Sequence, residues 1–304
     1  MFGAHIHKGN HKSYQAALDD KMELMKSHNV ECQSAQLFVM GPQNSNPNFT
    51  ESSAGEFGRY AAEHNVKIIV HNSYLVSLWN KNLSKRPFAR FKIKEQLLLC
   101  DAMNAAGFII HLPNLDVDEI YEELRHCLFT DGSAISKFKT PIFMEIEATK
   151  SSIFSYEKTS RIDALFSKIP ADLIDKIGLC IDTAHVWSAD YSFADKEAVI
   201  KWFNELSYAG GGILWKPLTH GLSRLIFHLN DADNDRGSGK DVHAQLGLGK
   251  MWSTQQSGLI EIVRFIAKSN LIAILERNKT DIEHDCDVIN TILHPRKTGE
   301  TSSQ

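Results

Sequence analysis

His71, His111, Glu145, Asp182, His228 and Glu276 each close a short apolar run of the 304-residue chain, in the segments KIIVH, GFIIH, IFME, IGLCID, LIFH and IAILE. Imidazoles and carboxylates are the side chains that hold borderline and hard divalent cations such as Zn2+ and Mn2+. Three more residues of these types stand just past such runs. His185 follows Asp182 by three residues in DTAH, and Asp241 and His243 lie in the Gly-rich stretch NDADNDRGSGKDVHAQLGLGK. Each signal alone is weak, because Asp before a helix is a common cap and D-x-H in a loop is more often a polar turn. Six apolar runs with the same kind of ending point instead to a shared task. Together these residues offer more donors than one tetrahedral or octahedral ion accepts beside a substrate, so the set reads as several cations sharing carboxylates. Cys32, Cys100, Cys127, Cys180 and Cys286 are scattered with no C-x-x-C pair, which leaves neither a thiolate zinc site nor a disulfide framework.

Positioning these side chains requires elements that end together. Two further runs, GAHI (3–6) and AQLFV (35–39), bring the strand-like segments to eight. Between them, Tyr14 to Ser27, Arg90 to Ala106, Leu115 to Cys127, Thr159 to Ile169 and Gly258 to Ser269 carry apolar residues at helical spacing. Near-continuous apolar strands alternating with helices predict a parallel sheet covered on both faces, here an α/β fold of the (β/α)8 TIM-barrel type. A single domain is expected over residues 1–294, followed by a polar, disordered tail at 295–304. In such a barrel every strand ends at one rim, which gathers the six terminal donors. His5 and His7 form an H-x-H pair on the first run. His5 reads as a core or supporting residue and His7 as surface. His11, His28, His64, His126, His220, His284 and His294 read as solvated.

Hydrophobic content is 43%, yet no apolar stretch reaches membrane-helix length, and MFGAHIHKGN lacks a secretory leader. The expectation is a soluble intracellular monomer with no membrane partner. A net charge of −4 weighs against nucleic acid, but Glu145, Asp182, Asp241 and Glu276 carry four of those charges, so the remainder of the chain is formally neutral. Lys81, Lys85, Arg86, Arg90, Lys92 and Lys94 form a basic run that would suit phosphates or a solvated helix face.

The segments GAHI, HNSYL (71–75), IIHLP (109–113), GLCIDTAH (178–185), FHLNDA (227–232), DVHAQLGLG (241–249) and LERN (275–278), in this order, resemble the endonuclease IV family of apurinic/apyrimidinic (AP) endonucleases. The wording of GLCIDTAHVW, FHLNDA and AILERN is most similar to versions carried by large DNA viruses. The resemblance implies three Zn2+ ions, with Mn2+ an option at some positions. His71, His111 and Glu145 would hold the first, Glu145, Asp182, His228 and Glu276 the second, and His185, Asp241 and His243 the third. Glu145 and Glu276 are the implied catalytic carboxylates. EIEAT offers Glu147 as an alternative to Glu145, and alignment on Ala148 favours Glu145. The implied reaction is hydrolysis of the phosphodiester 5′ to an abasic site in double-stranded DNA, by a hydroxide bridging two ions, leaving a 3′-hydroxyl and a 5′-deoxyribose phosphate. Tyr74 and Leu75 match the pair that enters the minor groove, and Gln43 stands where relatives carry an Arg. A divalent-metal sugar isomerase or epimerase is the main rival, but it would have no use for the third donor set. An amidohydrolase would use His5 and His7 but expects a Lys at the end of the fourth strand. A non-catalytic DNA-binding protein leaves the whole set of donors unexplained.

Overall fold

The computed structural model of the chain describes residues 1–129, 138–149, 155–218, 221–277 and 282–295. The strands, in chain order, are β1 (Phe2–His5), β2 (Ser34–Leu37), β3 (Lys67–His71), β4 (Gly107–Leu112), β5 (Ile142–Ile146), β6 (Ile177–Asp182), β7 (Leu225–His228), β8 (Asp231–Ala232), β9 (His243–Ala244) and β10 (Ile272–Leu275). All but β8 and β9 pair in parallel around a closed barrel, with β10 between β1 and β7. The helices are α1 (Tyr14–Ser27), α2 (Glu51–Glu63), α3 (Arg86–Met103), α4 (Val117–Phe129), α5 (Thr159–Ser167), α6 (Thr183–Ser188), α7 (Lys196–Gly212), α8 (Ser257–Lys268) and α9 (Ile282–Leu293). The eight-stranded (β/α)8 barrel expected from the apolar runs is the fold. No helix among the described residues is long and apolar enough to cross a membrane. The tail expected at 295–304 lies outside the described residues beyond Pro295.

The barrel strands are almost wholly buried because they have an apolar interior on one side and helices on the other. Inside, Ile69, Ile109, Phe143, Cys180, Ile226 and Ile274 pack against one another. Phe143 needs room there. A Cβ on Gly178 would lie 2.5 Å from its ring and 2.8 Å from the Arg224 carbonyl oxygen, so only glycine lets β6 pass.

Several boundaries differ from the sequence reading. α3 begins at Arg86 rather than Arg90, because Pro87 at its first turn presets φ and lacks only an N–H that would have no partner there. α2 carries few apolar residues, and is announced instead by a capping box in which Thr50 and Ser53 satisfy each other's backbone N–H groups. α7 loses helical conformation at Ala209, Gly210 and Gly211.

The basic run also needs correction. Arg90 donates to Glu123 at 2.6 and 3.1 Å, and Arg86 reaches the same carboxylate at 3.2 Å, so these two cations join α3 to α4 rather than face solvent. Lys92 pairs with Glu95 at 2.7 Å. Glu123 is buried. Glu123→Ala leaves two guanidinium groups without their shared partner and is expected to cost about 3 kcal/mol of stability, read as a lower urea midpoint. An unchanged midpoint would show the pair to be energetically neutral.

Candidate metal centre

Period-two alternation carries the barrel interior into the site. Two residues beyond Ile69, Ile109, Phe143, Cys180, Ile226 and Ile274 come His71, His111, Glu145, Asp182, His228 and Glu276. The same inward face that packs the core therefore ends, on six strands, in an imidazole or carboxylate at the mouth. β1 and β2 supply His5 and Gln36, which are paired in register.

Glu145 lies at the centre. Its Oε2 is 3.1 Å from His71 Nε2 and 3.5 Å from His111 Nε2, and its Oε1 is 2.8 Å from His228 Nδ1 and 3.5 Å from His185 Nδ1. His228 Nδ1 is also 3.2 Å from Glu276 Oε2 and 3.8 Å from Asp182 Oδ2. Glu147, the alternative to Glu145, turns to His111 Nδ1 at 3.0 Å. Ligand atoms of His71, His111 and Glu145 come within 4.8 Å of one another, as do those of Glu145, Asp182, His228 and Glu276, and those of Asp182, His185 and His243. Asp241 joins the last group through contacts of 3.3 Å to His185 Nε2 and 3.0 Å to His243 Nε2. All nine residues singled out in the sequence are thus brought together.

Asp182 reconciles its two readings. One oxygen caps α6, accepting from Ala184 N at 2.7 Å and His185 N at 3.0 Å, while the other meets Asn230 Nδ2 at 2.8 Å and His243 Nε2 at 3.4 Å. Asp241 and His243 arrive from the loop after β7 because β8 and β9 pair antiparallel, Ala232 opposite His243. The buried Asp231 carboxylate ties this loop, accepting from Ala232 N, Gly247 N, Gly249 N and Met251 N at 2.8 to 3.2 Å. Burial pushes that carboxyl up to about 6, against the pull of those N–H groups. A side chain on Gly249 would lie 2.6 Å from both the Asp231 carboxylate and the Ala232 carbonyl oxygen, which explains glycine there.

The charges in this cluster are mutually dependent. Burial works to raise the Glu145 carboxyl, but His228, His111 and His71 hold it well below the usual carboxylate range. Burial likewise opposes protonation of His243, and Asp182 and Asp241 nevertheless lift it to about 10. Against burial, Asp182, Asp241 and Glu145 hold His185 well above the ordinary imidazole value, and neighbouring Cys180 with the Glu145 and Glu276 carboxylates does the same for His228. Imidazoles that stay protonated only to neutralise buried carboxylates are sites where a divalent cation can take the protons' place. The buried Nε2 atoms of His185 and His243 lie close to the Asp241 carboxylate but are not aligned for a hydrogen bond. Donor type and these two misaligned nitrogens both fit a divalent cation. Cys180 lies beside His228, but burial pushes its thiol up to about 12, so it remains protonated.

A cleft of about 830 Å3 opens at the mouth, lined in part by His7, Tyr74, Asp241, His243, Leu248 and Glu276. His7 therefore borders the site rather than a remote surface. His5 stays neutral, its pKa lowered by burial first and then by neighbouring His7. Tyr74 and Leu75 stand 56% and 58% exposed at the rim. Ser73 and Tyr74 bond the carbonyl oxygens of Pro42 and Asn44, which brings exposed Gln43 alongside. Several histidines read as solvated are engaged, among them His28 with Asp287 at 2.7 Å, His64 with the Tyr60 carbonyl at 2.8 Å and His284 with the Leu246 carbonyl at 3.0 Å.

With that geometry in place, the chain can be compared with known proteins. The xylose isomerase-like TIM barrel family matches residues 24–292. A probable AP endonuclease of African swine fever virus is 31% identical over 250 residues, 81% of this chain and 79% of that relative. The chain belongs to the xylose isomerase-like TIM barrel family, on its endonuclease IV branch. A second relative on the endonuclease IV branch, a probable endonuclease 4 of Mycoplasmoides gallisepticum, is 30% identical over 259 residues, 79% of this chain and 76% of the relative. The crystal structure of AsfvAP:AG superposes with a TM-score of 0.81 at 27% identity, covering 96% of this chain and 97% of that one. The endonuclease IV motifs announced themselves in the sequence, whereas Gln36, Asn230 and Asp231 did not. Asp231 had one signal, the glycines of LGLGK, whose N–H groups it collects.

Proposed function

We propose that the chain is a metal-dependent AP endonuclease that hydrolyses the phosphodiester 5′ to an abasic site in double-stranded DNA, leaving a 3′-hydroxyl and a 5′-deoxyribose phosphate. The observation that carries this reading is the third donor group, His185, Asp241 and His243, beside the two groups that share Glu145. A two-ion sugar epimerase has no need of it, and the viral and bacterial relatives bear the names AP endonuclease and endonuclease 4.

Three Zn2+ ions are the expected complement, with Mn2+ able to replace some. Bound divalent cations would acidify the attacking water and neutralise charge on phosphate oxygens, which is the chemistry phosphodiester hydrolysis needs. His71 and His111 would hold the first cation with Glu145, and Asp182, His228 and Glu276 the second. Glu145 is suited to serve both, since its oxygens face opposite groups. His185, Asp241 and His243 would hold the third. Glu145 and Glu276 would thus be the carboxylates nearest the reacting phosphate. Flipping out a nucleotide costs least where the base is already missing, which favours abasic sites. The exposed Tyr74 and Leu75 would enter the minor groove as a wedge, with Gln43 beside them. The protein would work as a monomer in whichever intracellular compartment holds its DNA.

The test is an oligonucleotide duplex carrying one tetrahydrofuran abasic mimic. The metal-loaded protein is expected to nick it once, on the 5′ side, and a chelator to abolish the nick. An intact duplex together with turnover of a ketose would favour the epimerase instead. Tyr74→Ala combined with Leu75→Ala is expected to weaken abasic-duplex binding by roughly 10- to 100-fold at fixed salt, with metal content unchanged. Fluorescence anisotropy reads this, and an unaltered Kd would remove the wedge from the account.

A further inference from the structure

The imidazoles at the mouth do not all face inward by the same nitrogen. His71, His185 and His243 each donate from Nδ1 to a main-chain carbonyl, of Asn72 at 2.8 Å, Ile146 at 2.8 Å and Glu276 at 3.3 Å, which leaves Nε2 toward the cluster. His111 also turns Nδ1 outward, but to the side-chain carboxylate of Glu147 at 3.0 Å. His228 is reversed. Its Nδ1 faces the Glu145 and Glu276 carboxylates, and its Nε2 points to β2, where it meets Gln36 Oε1 at 2.8 Å.

The orientation of the Gln36 amide follows from chemistry. Its Nε2 lies 2.6 Å from Glu276 Oε1, and an ionised carboxylate only accepts hydrogen bonds, so the NH2 end must face Glu276. The carbonyl end is then left for His228. That oxygen has only lone pairs, so His228 must carry a proton on Nε2, and Nδ1, which faces the carboxylates, is the nitrogen left for a cation once its own proton is displaced. Gln36 is fully buried inside the barrel and also lies 3.4 Å from His5 Nδ1. A buried amide that is satisfied at both ends by two candidate ligands has little freedom to turn.

We propose that Gln36 is a positioning residue, which fixes the His228 tautomer and holds Glu276 so that both present their donors to the second cation. The inference rests on the divalent-cation reading of the site given above. Main-chain carbonyls orient three of the other histidines and survive any substitution. His228 depends instead on a side chain that can be changed.

Histidine-labelled, zinc-loaded wild-type protein tests this by 15N NMR. His228 is expected to show a protonated Nε2 and a zinc-bound Nδ1, and coordination through Nε2 would overturn the proposal whether or not any variant folds. Gln36→Leu keeps similar bulk and removes both contacts. Its affinity for one of the bound zinc ions is expected to fall roughly 10- to 100-fold, with the His228 pattern lost and the His185 and His243 signals kept. A folded Gln36→Leu protein with wild-type affinity for every ion and an unchanged His228 spectrum overturns the proposal alone. Wild-type protein that takes up no zinc overturns the metal reading and this inference with it.

Discussion

Glu145→Gln is expected to lower incision of an abasic duplex by roughly a thousandfold or more, because it removes the one carboxylate shared between two cation groups. Both oxygens are engaged, Oε2 with His71 and His111 and Oε1 with His228 and His185. An amide of the same shape keeps one acceptor but loses the charge, so the cations gathered there repel each other without the anion between them. The effect extends to stability. In metal-free protein the buried carboxylate neutralises imidazoles, and its loss should cost about 3 kcal/mol, lowering the melting temperature of the stripped protein. Single-turnover kinetics on the tetrahydrofuran duplex read the first effect and thermal melting the second. A variant that retains a tenth of wild-type turnover would show that Glu145 is not central.

His243→Ala is expected to lose one cation and roughly 100- to 1000-fold in turnover while the fold survives. The difference from Glu145 lies in what supports the segment. β8 and β9 are joined through main-chain atoms, and the loop closes on Asp231 through four backbone N–H groups, so the hairpin does not depend on the imidazole. Truncation leaves the scaffold in place and removes one donor, alongside His185 and Asp241. Elemental analysis with a melting curve separates the outcomes. Unchanged stoichiometry would place His243 outside the cation cluster.

The sequence disclosed this site because the barrel and the site share one periodicity. An apolar strand residue followed two positions later by His, Asp or Glu is visible without coordinates, and it recurs on six strands. The segments Asp241 to His243 were visible as residue types, but their approach to the rim depends on the short ladder to Asp231–Ala232. What stayed hidden was whatever depends on a partner distant in the chain. Arg86 and Arg90 read as a basic surface until α4 places Glu123 against them, 37 and 33 residues away. Gln36 read as an ordinary strand residue, since nothing local shows that Glu276 and His228 lie at either end of its amide. Asn230 is similar. It bonds Asp182 at 2.8 Å and accepts from Glu276 N at 3.2 Å, roles that exist only once β6, β7 and β10 are adjacent.

The most direct measurement is the zinc content of the chain, stripped with chelator, reloaded, freed of excess ion and analysed for metal and protein in the same sample. Three tightly held ions per chain are expected, with two in His243→Ala. Reloaded wild-type protein that retains no divalent ion would contradict the cation centre on which the proposed chemistry depends.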